Sequence, residues 1–212
     1  MAILTEANRT AEFLQSEANG YRSREVGTVD ATGGALVAGA VLGRVDTAGA
    51  SVAADVGNTG DGTFTLDVTD PVLSGAIAGD YIVTITEAAL NGGQYTVEDP
   101  NGNVIGVANV GDTFADQIKF VLADGATDFV VGDTWTVTVA AGSGAYVAYD
   151  ATATTGAEKA VAVLFEASTG AVSEDRTIVK RDAEVKHYKL TYTGTKATVV
   201  ADLAEVGIIS RD

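Results

Sequence analysis

The sequence has no cysteine, two prolines and a single histidine among its 212 residues. Without cysteine the chain forms no disulfide bond, no thiolate metal site and no cysteine nucleophile. The one histidine, His187, cannot form a multi-histidine metal site and has no G-x-S-x-G motif beside it, so we interpret it as a surface or interface residue. No apolar run approaches the roughly 20 residues of a membrane helix, and no secretion signal opens the chain. We expect a soluble protein, not an enzyme, with no cofactor and no metal.

Basic residues are also scarce, since 13 Lys and Arg accompany 29 Asp and Glu for a formal net charge of −16. A nucleic acid or an anionic membrane needs a basic face, so neither is an expected partner. The imbalance is concentrated between Val45 and Glu158, where Lys119 is the one basic residue among sixteen acidic ones. Such asymmetry predicts two modules, the central one with an acidic, solvated surface.

What the sequence does contain is 46% hydrophobic residues and 25 glycines. Six segments of the central block are rich in β-branched and aromatic residues, namely 62–68, 81–87, 94–99, 103–110, 116–122 and 134–140. Apolar residues alternate within these segments and glycine- or aspartate-containing turns separate them, which is typical of an antiparallel β-sandwich. We predict an inserted, immunoglobulin-like β-sandwich domain over residues 50–143. Trp135 is its expected core residue, and ligand stacking is the alternative role for this side chain.

One turn of the central block has the beginnings of a calcium-binding loop. Asp99, Asn101 and Asn103 alternate as in an EF-hand, but Gly102 comes two places early and Val110 stands where glutamate is required. We interpret the segment as a type I turn or an Asx-turn between strands, with calcium binding as the alternative.

The flanks are predicted to form one mainly β domain from residues 26–49 and 144–212. Near the C-terminus, apolar residues at helical spacing predict a short helix with Thr195 as its N-cap and Gly207 as its C-terminal stop. A domain inserted at a loop leaves its host intact because the entering and leaving chains lie close together.

Five flanking segments carry a resemblance to a known family: EFLQSEANGYRSREVGTV, AGAVLGRV, AVAVLFEA, IVKRDAEV and ADLAEVGIIS. In this order they resemble the head decoration proteins of tailed bacteriophages, the family of the lambda capsid-stabilising protein D. The resemblance spans most of residues 3–49 and 145–211 and omits the middle. It implies a β-clip-like core with a short helix. It also implies that the protein is made in the host cytoplasm and forms a homotrimer on the outer surface of the virion capsid. There it would bind the major capsid protein, prefer expanded shells and stabilise the head against internal DNA pressure.

The resemblance further implies that residues 1–25 form an arm that becomes ordered against the capsid. We expect the arm to add a strand to a capsid sheet. The residues expected to carry this contact are Phe13, Leu14, Tyr21, Arg22 and Arg24. In the alternative interpretation, these residues cover the protein's own core and the arginines are simply solvated.

The role of the central block is not implied by the family. We interpret it as a passive acidic surface module, with a host-surface glycan as its alternative ligand. The rival function for the whole chain is that of a phage tail or surface adhesin-type β-sandwich protein that binds host carbohydrate.

Overall fold

The computed structural model describes residues 6–212, and the fold is mainly β with several sheets and a short C-terminal helix. The strands are β1 (Leu14–Glu17), β2 (Arg24–Asp30), β3 (Val41–Arg44), β4 (Thr47–Ala54), β5 (Thr63–Leu66), β6 (Gly79–Ala89), β7 (Gly92–Glu98), β8 (Val104–Asn109), β9 (Thr113–Ala115), β10 (Lys119–Ala123), β11 (Thr134–Ala141), β12 (Tyr146–Ala148), β13 (Ala162–Leu164), β14 (Ser173–Val179), β15 (Ala183–Lys186) and β16 (Ile208–Arg211). The helices are α1 (Gly20–Ser23), a 3₁₀ turn (His187–Lys189) and α2 (Lys196–Glu205).

Contacts along the chain divide it into two compact units. Unit 1 comprises Met1–Val45 with Gly144–Asp212, and unit 2 comprises Asp46–Ser143. Because unit 2 lies between the two segments of unit 1 in the sequence, we call unit 1 the host unit and unit 2 the inserted unit. The predicted insert, residues 50–143, falls within the second of these units. The chain passes between the units twice, at residues 45–46 and 143–144.

The host unit contains a closed barrel with the strand order β12-β2-β14-β13-β3. Strands β2 and β14 pair along their whole length, from Arg24 opposite Val179 to Asp30 opposite Ser173. A second, three-stranded sheet has the order β1-β15-β16. The barrel, this sheet and α2 enclose a common core of the host unit. Its buried side chains are Phe13, Val41, Tyr149, Ala160, Val163, Val179, Ala183, Val185, Val199, Leu203 and Ile208.

Helix α2 has the ends that the sequence predicts. The Thr195 hydroxyl accepts a hydrogen bond from the Thr198 N–H, which satisfies one of the first-turn donors. The chain leaves the helix through Gly207, whose φ of 78° lies in the left-handed region. Val199 and Leu203 are buried one turn apart, so the helix covers the core with one face.

The inserted unit consists of two antiparallel sheets around one core. Their strand orders are β4-β11-β6-β7-β8 and β5-β10-β9. Side chains alternate between buried and partly or fully exposed along β11, and Trp135 is 3% exposed in the core. Its neighbours include Phe129, whose ring meets Trp135 edge-on with centroids 5.2 Å apart. Each of the six segments predicted as strands overlaps a strand of the structure.

The turn at residues 99–103 is an Asx-turn, as predicted. The Asp99 carboxylate accepts hydrogen bonds from the Asn101 N–H at 2.9 Å and from the Asn103 N–H at 2.8 Å, and the Asn103 side-chain amide donates to it at 3.0 Å. Hydrogen bonds from Asn103, followed by those from Asn101, hold the pKa of Asp99 below its ordinary value. Among residues 6–212, no three His, Cys, Asp or Glu side chains are grouped so as to hold a metal ion.

Candidate functional site

Phe13, one of the predicted capsid anchors, lies in the core of the host unit. Its side chain is fully buried, and Val185 and Leu203 belong to the same cluster. Burying a phenylalanine ring removes a large apolar area from water, so this position is strongly favoured within the chain itself. In the structure Phe13 is therefore a core residue and has no ring surface to offer to a capsid.

Leu14, the second predicted anchor, begins an edge strand rather than a loose arm. Leu14 pairs with Val185 and Glu17 with Ala183, and the register shifts between Leu14 and Ser16. The half-buried Leu14 packs against the same core as Phe13. β15 is the strand partner of β1 among the described residues, so the other edge of β1 carries no strand there.

The segment is held to the host unit from Asn8 onward. The Asn8 side-chain amide donates to the Lys189 carbonyl at 2.6 Å and to the Ala38 carbonyl at 3.2 Å. Further along, the Ala11 N–H donates to the Phe165 carbonyl at 3.1 Å. The expectation of an arm over residues 1–25 that becomes ordered against the capsid therefore differs from the structure for the part that begins at Asn8. Residues 1–5 of the predicted arm lie outside the described residues.

Both predicted arginines have carboxylate partners within the chain. The Arg24 guanidinium forms a bidentate ion pair with Glu17. The Arg24 Nε donates to Glu17 Oε2 at 2.9 Å, and the Arg24 Nη2 donates to Glu17 Oε1. Arg24 also lies 3.8 Å above the centre of the Phe165 ring, a cation–π contact. The Arg22 Nε donates to the Asp182 carboxylate at 2.8 Å in an exposed pair. Of the two, Arg24 is the one fixed in the fold, and Arg22 remains at the surface.

The Glu17 carboxylate also accepts a hydrogen bond from the Ser23 hydroxyl at 2.7 Å, so it joins β1 to the start of β2. The hydrogen bond from Arg24, aided by that of Ser23, holds the pKa of Glu17 below its ordinary 4.5 against the effect of burial. Because the folded pKa is depressed, the stabilisation is complete above pH 4.5 and is lost as the pH falls through the folded pKa.

We expect Glu17→Gln to lower the free energy of unfolding of the host unit at neutral pH by about 1–2 kcal/mol, because the ion pair is lost. The difference between the two proteins should shrink as the pH falls below 4.5, the ordinary pKa of this carboxyl. Urea unfolding at several pH values measures this difference in the free energy of unfolding. The matched control is Glu6→Gln, which removes an exposed pair with Arg9 and should cost less than about 0.5 kcal/mol. A pH-independent difference for Glu17→Gln would contradict the role of its ionised carboxylate.

Tyr21 is the predicted arm residue that the structure leaves fully at the surface. Its side chain is 100% exposed, while its backbone is fixed in α1, where the Asn19 side chain accepts from the Tyr21 N–H at 3.1 Å. An exposed aromatic ring on a fixed backbone is suited to protein contact. Sequence reasoning did not single out Val26 and Tyr188, which are also exposed apolar side chains of the host unit. The alternation of side chains along β2 is the pattern from which the exposure of Val26 could have been predicted.

His187 is part of a hydrogen-bonded group. Its Nδ1 lies 3.0 Å from the Ser210 hydroxyl and its Nε2 lies 2.8 Å from the Tyr192 hydroxyl. Burial, with a contribution from Lys196, lowers the pKa of His187. The residue lies in the 3₁₀ turn, and both ring nitrogens have hydrogen-bonding partners. This arrangement fixes the chain locally.

Comparisons with known proteins agree with the family resemblance that the five flanking segments carry, and the matched range also includes the central block. A family model described as Bacteriophage lambda head decoration protein D matches residues 3–208. The chain therefore belongs to this family of head decoration proteins. Its members are structural proteins, and the protein is accordingly a capsid decoration protein of the bacteriophage head, located on the outer surface of the virion capsid.

The other comparisons add little. No curated protein matches the chain. Two crystal structures of Xanthomonas campestris FlgL, in space groups H3 and C2, show 20% identity and a TM-score of 0.32. The match covers 49% and 47% of this chain and 33% and 31% of theirs, so the chain spans about a third of their length. Similarity at this TM-score carries no argument about fold or function. Within residues 6–212, no helix is long and apolar enough to cross a membrane.

Proposed function

We propose that this protein binds the major capsid protein on the phage head as a homotrimer and stabilises the shell against the pressure of packaged DNA. The family match over residues 3–208 carries the proposal. The attachment is mechanical and needs neither catalysis nor a cofactor. The rival function, a tail or adhesin-type protein, has no comparable support.

The structure supports a shorter capsid-binding segment than residues 1–25. Asn8 is fixed by two side-chain hydrogen bonds, and Phe13 is buried. The residues from Asn8 onward are thus already engaged with the backbone and core of the host unit. Of the predicted arm, residues 2–7 remain available for the capsid contact, and we propose that they form the binding strand.

The neighbouring surface supplies further contacts. Gln15 and Ser16 of β1 are exposed, and among the described residues no strand pairs with the edge of β1 opposite β15, so a capsid strand can add there through main-chain hydrogen bonds. Tyr21 and Arg22 lie at the surface on the following turn, so they are the side chains best placed to give that contact its specificity. A trimer presents three such regions on one body, and each later contact then forms at a high effective concentration.

The acidic inserted unit is the part least suited to contact nucleic acid. It contains fourteen acidic residues and one basic residue, Lys119, for a net charge of −13. Charge of one sign on the outside of a particle opposes aggregation. A glycan ligand for this unit stays a prediction, and the buried Trp135 cannot serve as its stacking platform without leaving the core.

The test is co-sedimentation of the purified full chain and of a variant lacking residues 2–7 with expanded empty heads of the phage concerned. We expect the deletion to weaken binding at least about a hundredfold and to leave the melting temperature nearly unchanged, since Asn8 and Phe13 remain. A control of native length replaces residues 2–7 by Gly and Ser and should bind as poorly as the deletion. Undiminished binding by both variants would refute the assignment of the binding strand. Deleting residues 2–20 is unsuitable because it removes Phe13 and β1 from the fold.

A further inference from the structure

Three loops meet at one end of the inserted unit, and we call residues 55–62, 90–91 and 124–133 the distal cluster. At this end β4 stops and β11 starts, with Trp135 opposite Ala54. The other ends of the same two strands, where Thr47 pairs with Ala141, adjoin the points where the chain enters and leaves the unit. The distal cluster is therefore at the end of the inserted unit away from its chain termini.

A buried carboxylate ties two of the loops together. Asp133 is 2% exposed and accepts hydrogen bonds from the N–H groups of Thr59 at 2.8 Å, Gly60 at 3.0 Å and Val130 at 3.1 Å. Burial alone would raise the pKa of Asp133, but these three donors hold it below its ordinary value. The loops at residues 55–62 and 124–133 are thus joined by an ionised group with main-chain partners.

Side chains fix the remaining loop contacts. Asn58 exchanges two hydrogen bonds with the backbone of Thr134, each 2.7 Å long. The third loop, the hairpin turn between β6 and β7, is joined where the Asp128 carboxylate accepts from the Asn91 N–H at 2.8 Å. The cluster is consequently a fixed surface rather than three independent loops.

This fixed surface holds apolar side chains out in water. Val56 is 104% exposed, Leu90 82%, Val131 64% and Val130 42%. The adjacent Phe129 is 1% exposed and packs on Trp135, so the loop is anchored by one residue and presents the next two outward. These exposed aliphatic side chains lie on three loops that are fixed at the same end of the unit, which makes this end a candidate protein-binding surface.

The charge around these side chains specifies the partner. The distal cluster contains five acidic residues and no basic one. Asp133 is buried, which leaves Asp55, Asp61, Asp124 and Asp128 at least partly exposed to a partner. The one basic residue of the whole inserted unit, Lys119, is paired with Asp67 at 2.9 Å. A second copy of this unit, a nucleic acid or an anionic membrane would bring charge of the same sign.

We propose that the distal cluster is a docking site for a cationic protein whose contact surface has an apolar centre and a rim of lysine or arginine. The apolar centre covers Val56, Leu90 and Val131, and the basic rim faces the surrounding carboxylates. This binding function is separate from capsid attachment, and it is tested on the full chain without capsids.

The probe is a fluorescein-labelled synthetic amphipathic helix of leucine and lysine, with a leucine–glutamate helix of the same length as its control. Fluorescence anisotropy measures binding to the full chain and to two matched double variants. Val56→Ser with Val131→Ser alters the distal cluster. Val68→Ser with Val104→Ser removes two valines of similar exposure, 96% and 57%, elsewhere on the unit.

We expect saturable binding of the leucine–lysine helix that weakens with added salt. The distal variant should lose about tenfold or more in affinity, and the control variant should stay within about twofold. The proposal is overturned if the unaltered chain does not bind this helix, if the two variants behave alike, or if the leucine–glutamate helix binds equally well. It is also overturned if the distal variant abolishes self-association or binding to phosphatidylserine vesicles, since the occupant would then be a second copy or a membrane.

Discussion

Phe13→Ala is expected to lower the free energy of unfolding of the host unit by about 3–5 kcal/mol. The ring is fully buried among side chains of β15, α2 and β16, so its removal leaves a cavity that the surrounding sheet and helix cannot fill without moving. Urea unfolding followed by circular dichroism measures the loss. The same substitution would cost almost nothing if Phe13 were a solvent-exposed arm residue awaiting a capsid.

The matched control for Phe13→Ala is Tyr21→Ala, an aromatic truncation eight residues further on. Tyr21 is 100% exposed, so this change should alter the free energy of unfolding by less than about 0.5 kcal/mol. Although its fold stays intact, we expect the Tyr21→Ala variant to bind the capsid more weakly than the unaltered chain. Equal stability of the two variants would show that the N-terminal segment is not part of the core.

Phe129→Ala should lower the free energy of unfolding of the inserted unit by about 3–5 kcal/mol. Phe129 is 1% exposed, and its ring fills the space left by Gly60 and Gly62, where an added Cβ would come within 2.3 Å and 2.1 Å of it. Because the ring also meets Trp135 edge-on, the fluorescence of this single tryptophan reports the unfolding directly.

Val130→Ala is the control for Phe129→Ala, because it changes the neighbouring side chain, which is 42% exposed. It should change the free energy of unfolding by less than about 0.5 kcal/mol. Loss of the Phe129 anchor should also weaken docking of the leucine–lysine helix, because Val130 and Val131 then lose their fixed support. An unchanged unfolding midpoint for Phe129→Ala would contradict the anchoring of the loop at residues 124–133.

The inserted unit was the more predictable part of the fold. Its strands alternate apolar and polar residues, and aromatic residues such as Trp135 mark their buried faces. The missed strand β4 consists mostly of alanine, glycine and other small residues, so its sequence carries no such pattern. Its place in the sheet depends on pairing with β11, which lies more than 80 residues later in the chain.

The N-terminal segment was harder to predict because its partners are remote in sequence. β1 has four residues, two of them exposed, and its register shifts within the strand, so no period-2 pattern is visible. Leu14 pairs with Val185, and Asn8 is bound to the backbone at Lys189. The resemblance to decoration proteins gave the correct family, but it led to an arm that extends too far into the folded chain.

Local rules were reliable where the interaction itself is local. The cap of α2 at Thr195 and the Asx-turn at Asp99 both depend on residues within four positions. The distal cluster could not be predicted in this way, because Asp133 joins residues more than 70 positions apart. Its exposed valines are indistinguishable from core valines until the strand ends are known.

Decoration of the head by a trimer is tested most directly by co-sedimentation of the unaltered chain with expanded and unexpanded empty heads. We expect saturable binding to expanded heads, with bound copies in multiples of three at each three-fold position and weaker binding to unexpanded heads. Failure to bind either form, with the protein folded and the heads intact, would contradict it.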